Sequence, residues 1–282
     1  MTEFVAVPTP RAAETRYFGV DFSGAVDAGR KIWVSEVVHD SRQQRLKVVS
    51  CTRAEFLPNS GRERGQCLAA LRAYISKQSH AIVGMDFPFG IHRSLLKGAA
   101  WSSWISTFRT HYSDPATFRA TCWEAAGRCE IKRQTEREAK TPFNPYNLRL
   151  YRQTYFGIAE VIAPLVTGTL ARVVPQQRAK SGIPSLVEVC AACTLKHLSL
   201  YPPYKGRGDM AREARLMVVR NLRHCGIAPL STALRAEVIA DTEGDALDSI
   251  IAASAAYRAA NGEVSIDSNW GSPYRVEGNV FL

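Results

Sequence analysis

The sequence predicts an α/β fold, in which helices flank a mixed β-sheet and a helical insertion interrupts it. Three observations predict this fold. An N-terminal stretch is typical of an antiparallel meander, a predicted helix and then an apolar run follow the meander, and a long region further along has helical patterns. With 282 residues, 46% hydrophobic and 22% charged, the chain can bury a sizeable core and has an ordinary globular composition.

The first half of the chain predicts four strands. Residues 16–22, 31–39 and 46–51 are predicted strands joined by short polar connections, which are typical of hairpins. Apolar spacing predicts a helix over 62–77, and the apolar run 80–87 follows it. Because a crossover helix precedes this run, we expect it to lie parallel to the first strand.

The second half adds a helical insertion and further elements. Residues 94–169 combine helical patterns, aromatic side chains and basic residues, so we predict a helical insertion there. A fifth sheet strand is predicted at 185–190. The other predicted elements are a candidate strand at 171–175, helices at 191–198, 209–224 and 241–261, and an edge strand in the tail 274–281.

The ends and the hydropathy of the chain suggest one domain without a membrane partner. We expect residues 1–15 to be a flexible arm, since Glu3 and Glu14 interrupt a stretch without a sustained apolar core. Residues 16–282 are expected to form a single domain. No apolar stretch is long enough to cross a bilayer, so we expect a cytoplasmic protein.

The seven cysteines are odd in number and lack the spacing of a disulfide framework, so we expect reduced thiols. Cys190 and Cys193, followed by His197, have the spacing of a partial metal or redox site. The simpler interpretation is that Cys190 ends a strand and Cys193 begins a helix, because no second pair lies at a matching spacing.

Two apolar runs deliver an aspartate to the same kind of position. Residues 17–22 and 82–87 both end in Gly-x-Asp-Phe, so Asp21 and Asp86 end two predicted buried strands. Lying side by side, these strands would place both carboxylates at one edge of the sheet. Like charges that close need a proton or a metal ion between them.

Three more acids are expected at the same edge. Glu188 lies in a predicted buried strand, and Asp245 and Asp248 are three positions apart, so that both project from one helix face. Carboxylates suit hard cations, so we expect the five acids to hold Mg²⁺ or Mn²⁺ and to be catalytic in phosphodiester hydrolysis. Structural explanations stay open for several of them: Asp21 and Asp86 as turn residues, and Asp245 as a favourable charge at a helix start. Glu188 is the hardest to explain in this way, because its apolar neighbours indicate burial.

The order of elements is that of an RNase H-like fold, with a mixed five-stranded sheet and acids where that fold holds its metals. Six segments carry a closer resemblance: 19–24, 84–90, 187–192, 204–206, 245–248 and 276–278. In these segments the chain resembles the domain-of-unknown-function 429 family, which is regarded as a family of predicted nucleases. The resemblance implies a metal-dependent nuclease. The helical pair of acids also resembles that of Holliday-junction resolvases.

Charge and aromatic residues suggest nucleic acid, DNA or RNA, as the partner. The net charge is +10 and most of the 36 basic residues are arginine, which suits phosphate contact, although coding preference would also enrich arginine. Basic residues interleaved with rings are typical of single-strand contacts, but tyrosines at helical spacing usually pack a core. The expected substrate-binding residues are Lys205, Arg207, Arg149 and Arg152.

Two other functions fit parts of the sequence. A phosphotransferase of the actin and sugar-kinase type would share the strand-one aspartate and the glycine-rich turn at 21–25, but no second phosphate loop follows. A non-catalytic RNase H-like module that binds nucleic acid or protein would keep the fold alone. Retention of all five acids argues against it, because unused buried carboxylates cost stability.

Overall fold

A seven-stranded mixed sheet organises the protein, seen here in a computed structural model that describes residues 15–262 and 272–282. The strands are β1 (Arg16–Asp21), β2 (Trp33–Asp40), β3 (Arg45–Arg53), β4 (Ala81–Met85), β5 (Arg172–Val174), β6 (Ser185–Val189) and β7 (Val280–Phe281). Their order is β3-β2-β1-β4-β6-β5, and β7 pairs with β6 beyond the end of β5. The predicted count of five strands is therefore too low, because the candidate at 171–175 and the tail each add one strand to the sheet.

The meander and the parallel strands have the predicted directions. β1 and β2 are antiparallel, as are β2 and β3. β1 pairs parallel to β4, with Gly19 opposite Gly84 and Val20 opposite Met85. β4 pairs parallel to β6, with Met85 opposite Glu188. The carboxyl ends of β1, β4 and β6 therefore meet at one edge of the sheet.

Thirteen α-helices occur in the described parts of the chain. They are α1 (Ala28–Lys31), α2 (Arg64–Ser76), α3 (Trp101–Ser106), α4 (Phe108–His111), α5 (Pro115–Ala125), α6 (Gln134–Glu138), α7 (Tyr151–Phe156), α8 (Ala163–Thr167), α9 (Ala191–His197), α10 (Asp209–Asn221), α11 (Thr232–Ala240), α12 (Asp245–Ala260) and α13 (Pro273–Glu277). A π-helical turn, Gly157–Ile162, joins α7 to α8. Short 3₁₀ turns lie at Ala54–Phe56, Arg93–Leu96 and Leu222–Cys225.

The helices differ from expectation at two places. α11 was not predicted, and α12 begins at Asp245 rather than at 241. The later start has a local cause, because the Asp241 carboxylate accepts a hydrogen bond from the Ala246 amide (2.9 Å) and so caps the helix from outside. The expected arm at 1–15 lies, apart from Thr15, outside the described residues.

The two faces of the sheet have separate cores. Phe18, Val20 and Met85 face α2 and the insertion, whose Trp101 and Phe108 belong to the same apolar cluster. The other face packs on α12. There the strands present Gly19 and Gly84, which allow close approach: an added Cβ at Gly84 would lie 2.6 Å from the Ala252 carbonyl oxygen.

Among the described residues, no helix combines the length and the apolar character needed to cross a membrane.

Candidate functional site

Four aspartates meet where β1 and β4 end and α12 begins. The Asp86 amide donates to the Val20 carbonyl oxygen (2.9 Å), so Asp21 and Asp86 continue two neighbouring parallel strands. Both follow the α12-facing glycines by two positions, and alternation therefore turns both toward α12. The first turn of α12 supplies Asp245 and Asp248, at the positively polarised end of a 16-residue helix.

Lys205 brings a positive charge into this group. Its Nζ lies 2.7 Å from Asp248 Oδ2 and 3.5 Å from Asp245 Oδ1. The neighbouring Tyr204 hydroxyl donates to Asp248 Oδ1. The loop that carries them is held by Arg215, which donates to the carbonyl oxygens of Tyr204 (2.7 Å) and Gly206 (2.9 Å).

The pKa values reflect crowded negative charge. Burial, followed by the charge of Asp248, raises the pKa of Asp86 to about 7. Burial and the charges of Asp248 and Asp245 hold the pKa of Asp21 well above its usual range, although Lys205 opposes the shift. Burial also raises the pKa of Asp245 to about 6, against the effect of Lys205. One ammonium group therefore does not fully compensate the carboxylates.

The two strand-end aspartates have few partners. Asp86 Oδ2 accepts a long hydrogen bond from the Ala191 amide (3.4 Å), at the start of α9. Within residues 15–262 and 272–282, no hydrogen-bond donor reaches the Asp21 carboxylate, which is only partly exposed. A carboxylate in such a position leaves its oxygens available to a ligand.

Glu188 lines the same cleft as the aspartates, but the alternation of side chains along β6 gives it a different position. It lies opposite Met85 rather than Asp86, so it projects from the other face of the sheet. There Arg133 Nη1 donates to Glu188 Oε2 (2.8 Å), Arg133 Nη2 donates to Oε1, and the Phe89 amide donates to Oε2 (2.8 Å). Glu136 accepts from the Nε of the same arginine (2.9 Å). Both oxygens of Glu188 are thus engaged, and we leave it out of the candidate metal ligands.

A cleft of about 430 Å³ opens onto the aspartates. Asp21, Asp86, Asp245, Asp248 and Lys205 line it at the strand ends. The insertion contributes a wall that comprises Thr141, Pro142, Phe143, Arg149, Leu150 and Gln153. Gln153 donates to the Asp86 carbonyl oxygen (2.6 Å) and so ties this wall to the end of β4.

The predicted substrate-binding residues divide between the cleft and the outer surface. Lys205 and Arg149 line the cleft. Arg207 lies in two neighbouring grooves instead, and Arg152 does not line the cleft. Tyr204 belongs to a segment of family resemblance, but no role was predicted for it. Arg133 had no predicted role either, because only the fold brings it to Glu188.

The cysteine prediction needs one correction. Cys190 precedes α9 and Cys193 lies in its first turn, as expected, but the two form a disulfide with Cα atoms 5.1 Å apart. The expectation of reduced thiols is therefore wrong for this pair. Of the others, Cys51, Cys67, Cys122, Cys129 and Cys225 are free.

Within the described ranges, no three His, Cys, Asp or Glu side chains are arranged as they would be around a metal ion. The carboxylate oxygens nevertheless suit a hard cation, and in the described part of the chain no hydrogen-bond donor reaches Asp21. Asp248 is the exception, since both its oxygens already contact Lys205 or Tyr204.

Comparison with protein-family models, curated proteins and solved structures found no significant match to this chain. The family resemblance therefore stays a prediction.

Proposed function

We propose that this protein is a divalent-metal-dependent phosphodiesterase that acts on nucleic acid. The observation that carries the proposal is the convergence of Asp21, Asp86, Asp245 and Asp248, from three distant segments, on the floor of one cleft. Buried carboxylates that raise one another's pKa cost folding free energy, and such groups are concentrated at functional sites. Binding of a cation would offset that cost.

Asp21 and Asp86 are the first candidates to hold the metal, because among the described residues no cation pairs with their carboxylates, whereas Lys205 pairs with Asp245 and Asp248. Asp245 and Asp248 would join them when Lys205 turns away. Lys205 is half exposed, so its ammonium can leave these carboxylates for solvent or for a substrate phosphate. Mg²⁺ or Mn²⁺ bound here would activate a water molecule and stabilise the charge of a phosphodiester under attack.

We also propose that the fold is RNase H-like. An antiparallel meander, a parallel strand beside its first strand and a second parallel strand beyond that one support this assignment. So does the helix α12, which packs behind β1 and β4 and carries acids in its first turn.

Metal binding and cleavage test the proposal together. Mn²⁺ binding is measured by calorimetry, and single- and double-stranded DNA and RNA are then incubated with the protein and Mg²⁺ or Mn²⁺. We expect Asp21→Asn and Asp86→Asn to weaken Mn²⁺ binding by more than about 10-fold and to abolish cleavage. Asp209→Asn, an exposed acid in the first turn of α10, is the matched control and should leave both unchanged. Failure of the unmodified protein to bind either ion would contradict the proposal.

A non-catalytic binding module is the second candidate, and Lys205 is the observation that favours it. An ammonium group paired with Asp248 and Asp245 is a built-in counter-charge, which a protein without a metal would need. Binding of the same nucleic acids, measured with and without a chelator, separates the two functions. Nucleic-acid binding that requires no divalent ion, without cleavage, would favour the module.

A further inference from the structure

We infer that the cleft takes an unpaired nucleotide strand, whose bases stack on Phe143 and Tyr201 while its phosphates meet the cations beside these rings. The inference rests on the proposed function and names its substrate class. It comes from the juxtaposition of two partly exposed rings, each with its own cation, around a cleft whose floor carries the four aspartates.

The first ring belongs to the insertion. Phe143 is partly exposed and lines the cleft, and the Arg149 guanidinium lies 5.4 Å from the centre of its ring. The Arg149 amide donates to the Asn147 side chain (2.8 Å), which fixes the backbone at this position. In the described parts of the chain, no carboxylate pairs with Arg149, so its charge is available to a phosphate.

The second ring comes from the segment after α9. Tyr201 is 43% exposed and lines the same cleft, and Lys196 Nζ lies 4.9 Å from the centre of its ring. Its ring meets that of Tyr204 edge to face, with 5.7 Å between the centres. Because Tyr204 donates to Asp248, the Tyr201 ring is linked to the aspartates through Tyr204.

Most other aromatic residues of the insertion are buried, and within residues 94–169 no ring besides Phe143 lines the cleft. Tyr146 is buried, and its hydroxyl accepts from the Ile131 amide and donates to the Cys129 carbonyl oxygen. Tyr155 is also buried and donates to carbonyl oxygens of the preceding loop. The structure therefore reduces the aromatic segment of the sequence to one ring that faces the cleft, Phe143.

Stacking on these rings requires a base whose face is exposed. In a duplex, neighbouring base pairs cover both faces of each base. Extruding a nucleotide from the duplex costs free energy, which an unpaired strand does not require. A cleft of about 430 Å³ has the size of a small-molecule site, which suits one or two unpaired nucleotides. Ring and cation together are the means by which proteins hold single strands without reading their sequence.

Binding is measured by fluorescence anisotropy, so that the result does not depend on cleavage. The probes are labelled oligothymidylate and oligouridylate of about 10 nucleotides, which separate DNA from RNA, and a hairpin duplex. Ca²⁺ replaces Mg²⁺ in the binding buffer. We expect Phe143→Ala and Tyr201→Ala each to weaken single-strand binding about 10-fold. Arg149→Ala should lower the salt dependence of the binding constant by the amount that corresponds to the loss of about one phosphate contact.

Matched controls come from the same chain. Arg119 lies 5.4 Å from the centre of the Trp123 ring, in a similar pair outside the cleft, and Phe56 is a 71% exposed ring that does not line the cleft. Arg119→Ala and Phe56→Ala should leave binding unchanged. Phe143→Leu keeps apolar packing but removes the ring, so it should lose binding as Phe143→Ala does while its melting temperature stays near that of the unmodified protein.

Three results would overturn the inference: no binding of any probe, equal binding of hairpin and single strand, or unchanged single-strand binding in both ring variants. Its failure is distinct from that of the proposed function. Loss of single-strand binding in the ring variants, without cleavage by any metal-loaded form, would refute the phosphodiesterase alone. If the protein cleaves duplex in a metal-dependent reaction, and Phe143→Ala does not reduce that activity, the single-strand inference alone is refuted.

Discussion

At the scale of single residues, Asp86 links the chemistry of the site to the stability of the fold. Its pKa of about 7 exceeds that of an aspartate in an unfolded chain. Between these two pKa values, the folded protein binds more protons than the unfolded chain. The free energy of unfolding must therefore fall as the pH rises through that interval. Asp21 and Asp245 have raised pKa values too and act in the same direction.

We predict that the metal-free protein is less stable at pH 8 than at pH 5, and that Asp86→Asn reduces this difference. At pH 8 the free energy of unfolding of the variant should be about 1–2 kcal/mol higher than that of the unmodified protein. The reason is that the substitution removes a buried charge that Lys205 compensates only in part. Denaturant unfolding with a chelator present, at both pH values, measures the effect. If Asp86→Asn is destabilising at pH 8, the carboxylate is better stabilised than its surroundings indicate.

At the scale of elements, α12 sets the position of half of the acidic group. Its first turn carries Asp245 and Asp248, and its middle packs closely against the glycines of β1 and β4. An added Cβ at Gly19 would overlap the Ser249 carbonyl oxygen and the Ala253 amide nitrogen. The separation of helix and strands therefore depends on two glycines that carry no chemistry.

We predict that Gly84→Ala lowers the free energy of unfolding by about 1–3 kcal/mol and weakens Mn²⁺ binding, because α12 must move away from β4. Gly19→Ala should be more severe, since its added Cβ meets two backbone atoms. Gly208→Ala is the control, because a Cβ there has open space and φ is −73°. Denaturant unfolding and calorimetry measure both effects. Equal stability of all three variants would mean that the sheet and α12 are not in close contact.

At the scale of the whole molecule, Arg133 joins parts of the chain that are far apart in sequence. It is 1% exposed, and its guanidinium binds Glu136 of the insertion, Glu188 of β6 and the carbonyl oxygen of Glu277 in α13. The Glu277 carboxylate in turn accepts from the Gln134 amide (2.7 Å). This buried network holds the insertion, and with it the cleft wall, against the sheet.

We predict that Arg133→Met destabilises the protein by about 3–5 kcal/mol, since it leaves buried carboxylates without a counter-charge. Glu188→Gln should cost less, because the amide oxygen can still accept from the Phe89 amide and Arg133 keeps Glu136. Its Mn²⁺ affinity should stay within about twofold of the unmodified protein, whereas a metal ligand would lose far more. Strong loss of Mn²⁺ binding in Glu188→Gln would return Glu188 to the metal ligands.

Much of the fold follows from local patterns. Alternating and apolar runs predicted the meander and the parallel strand β4, and the repeated Gly-x-Asp-Phe placed Asp21 and Asp86 at the ends of adjacent strands. These predictions succeed because strand formation depends on side-chain periodicity, and parallel pairing follows from the intervening helix. The strand count was too low, although 171–175 and the tail were candidate strands, since strands of two or three residues are too short to show a period. The helix α11 was missed, and of its 9 residues only Val238 is buried, so it has no continuous apolar face.

The sequence by itself determined which acids end strands and begin a helix, because those positions follow from the chain's own periodicity. Only the tertiary structure decided which of them share a face. Pairing of Glu188 with Met85 rather than Asp86 is a matter of register, and a shift of one residue reverses every side chain of a strand. The partners Arg133 and Lys205, and the choice of Phe143 over Tyr146 for the cleft, likewise arise from long-range packing that no local pattern encodes.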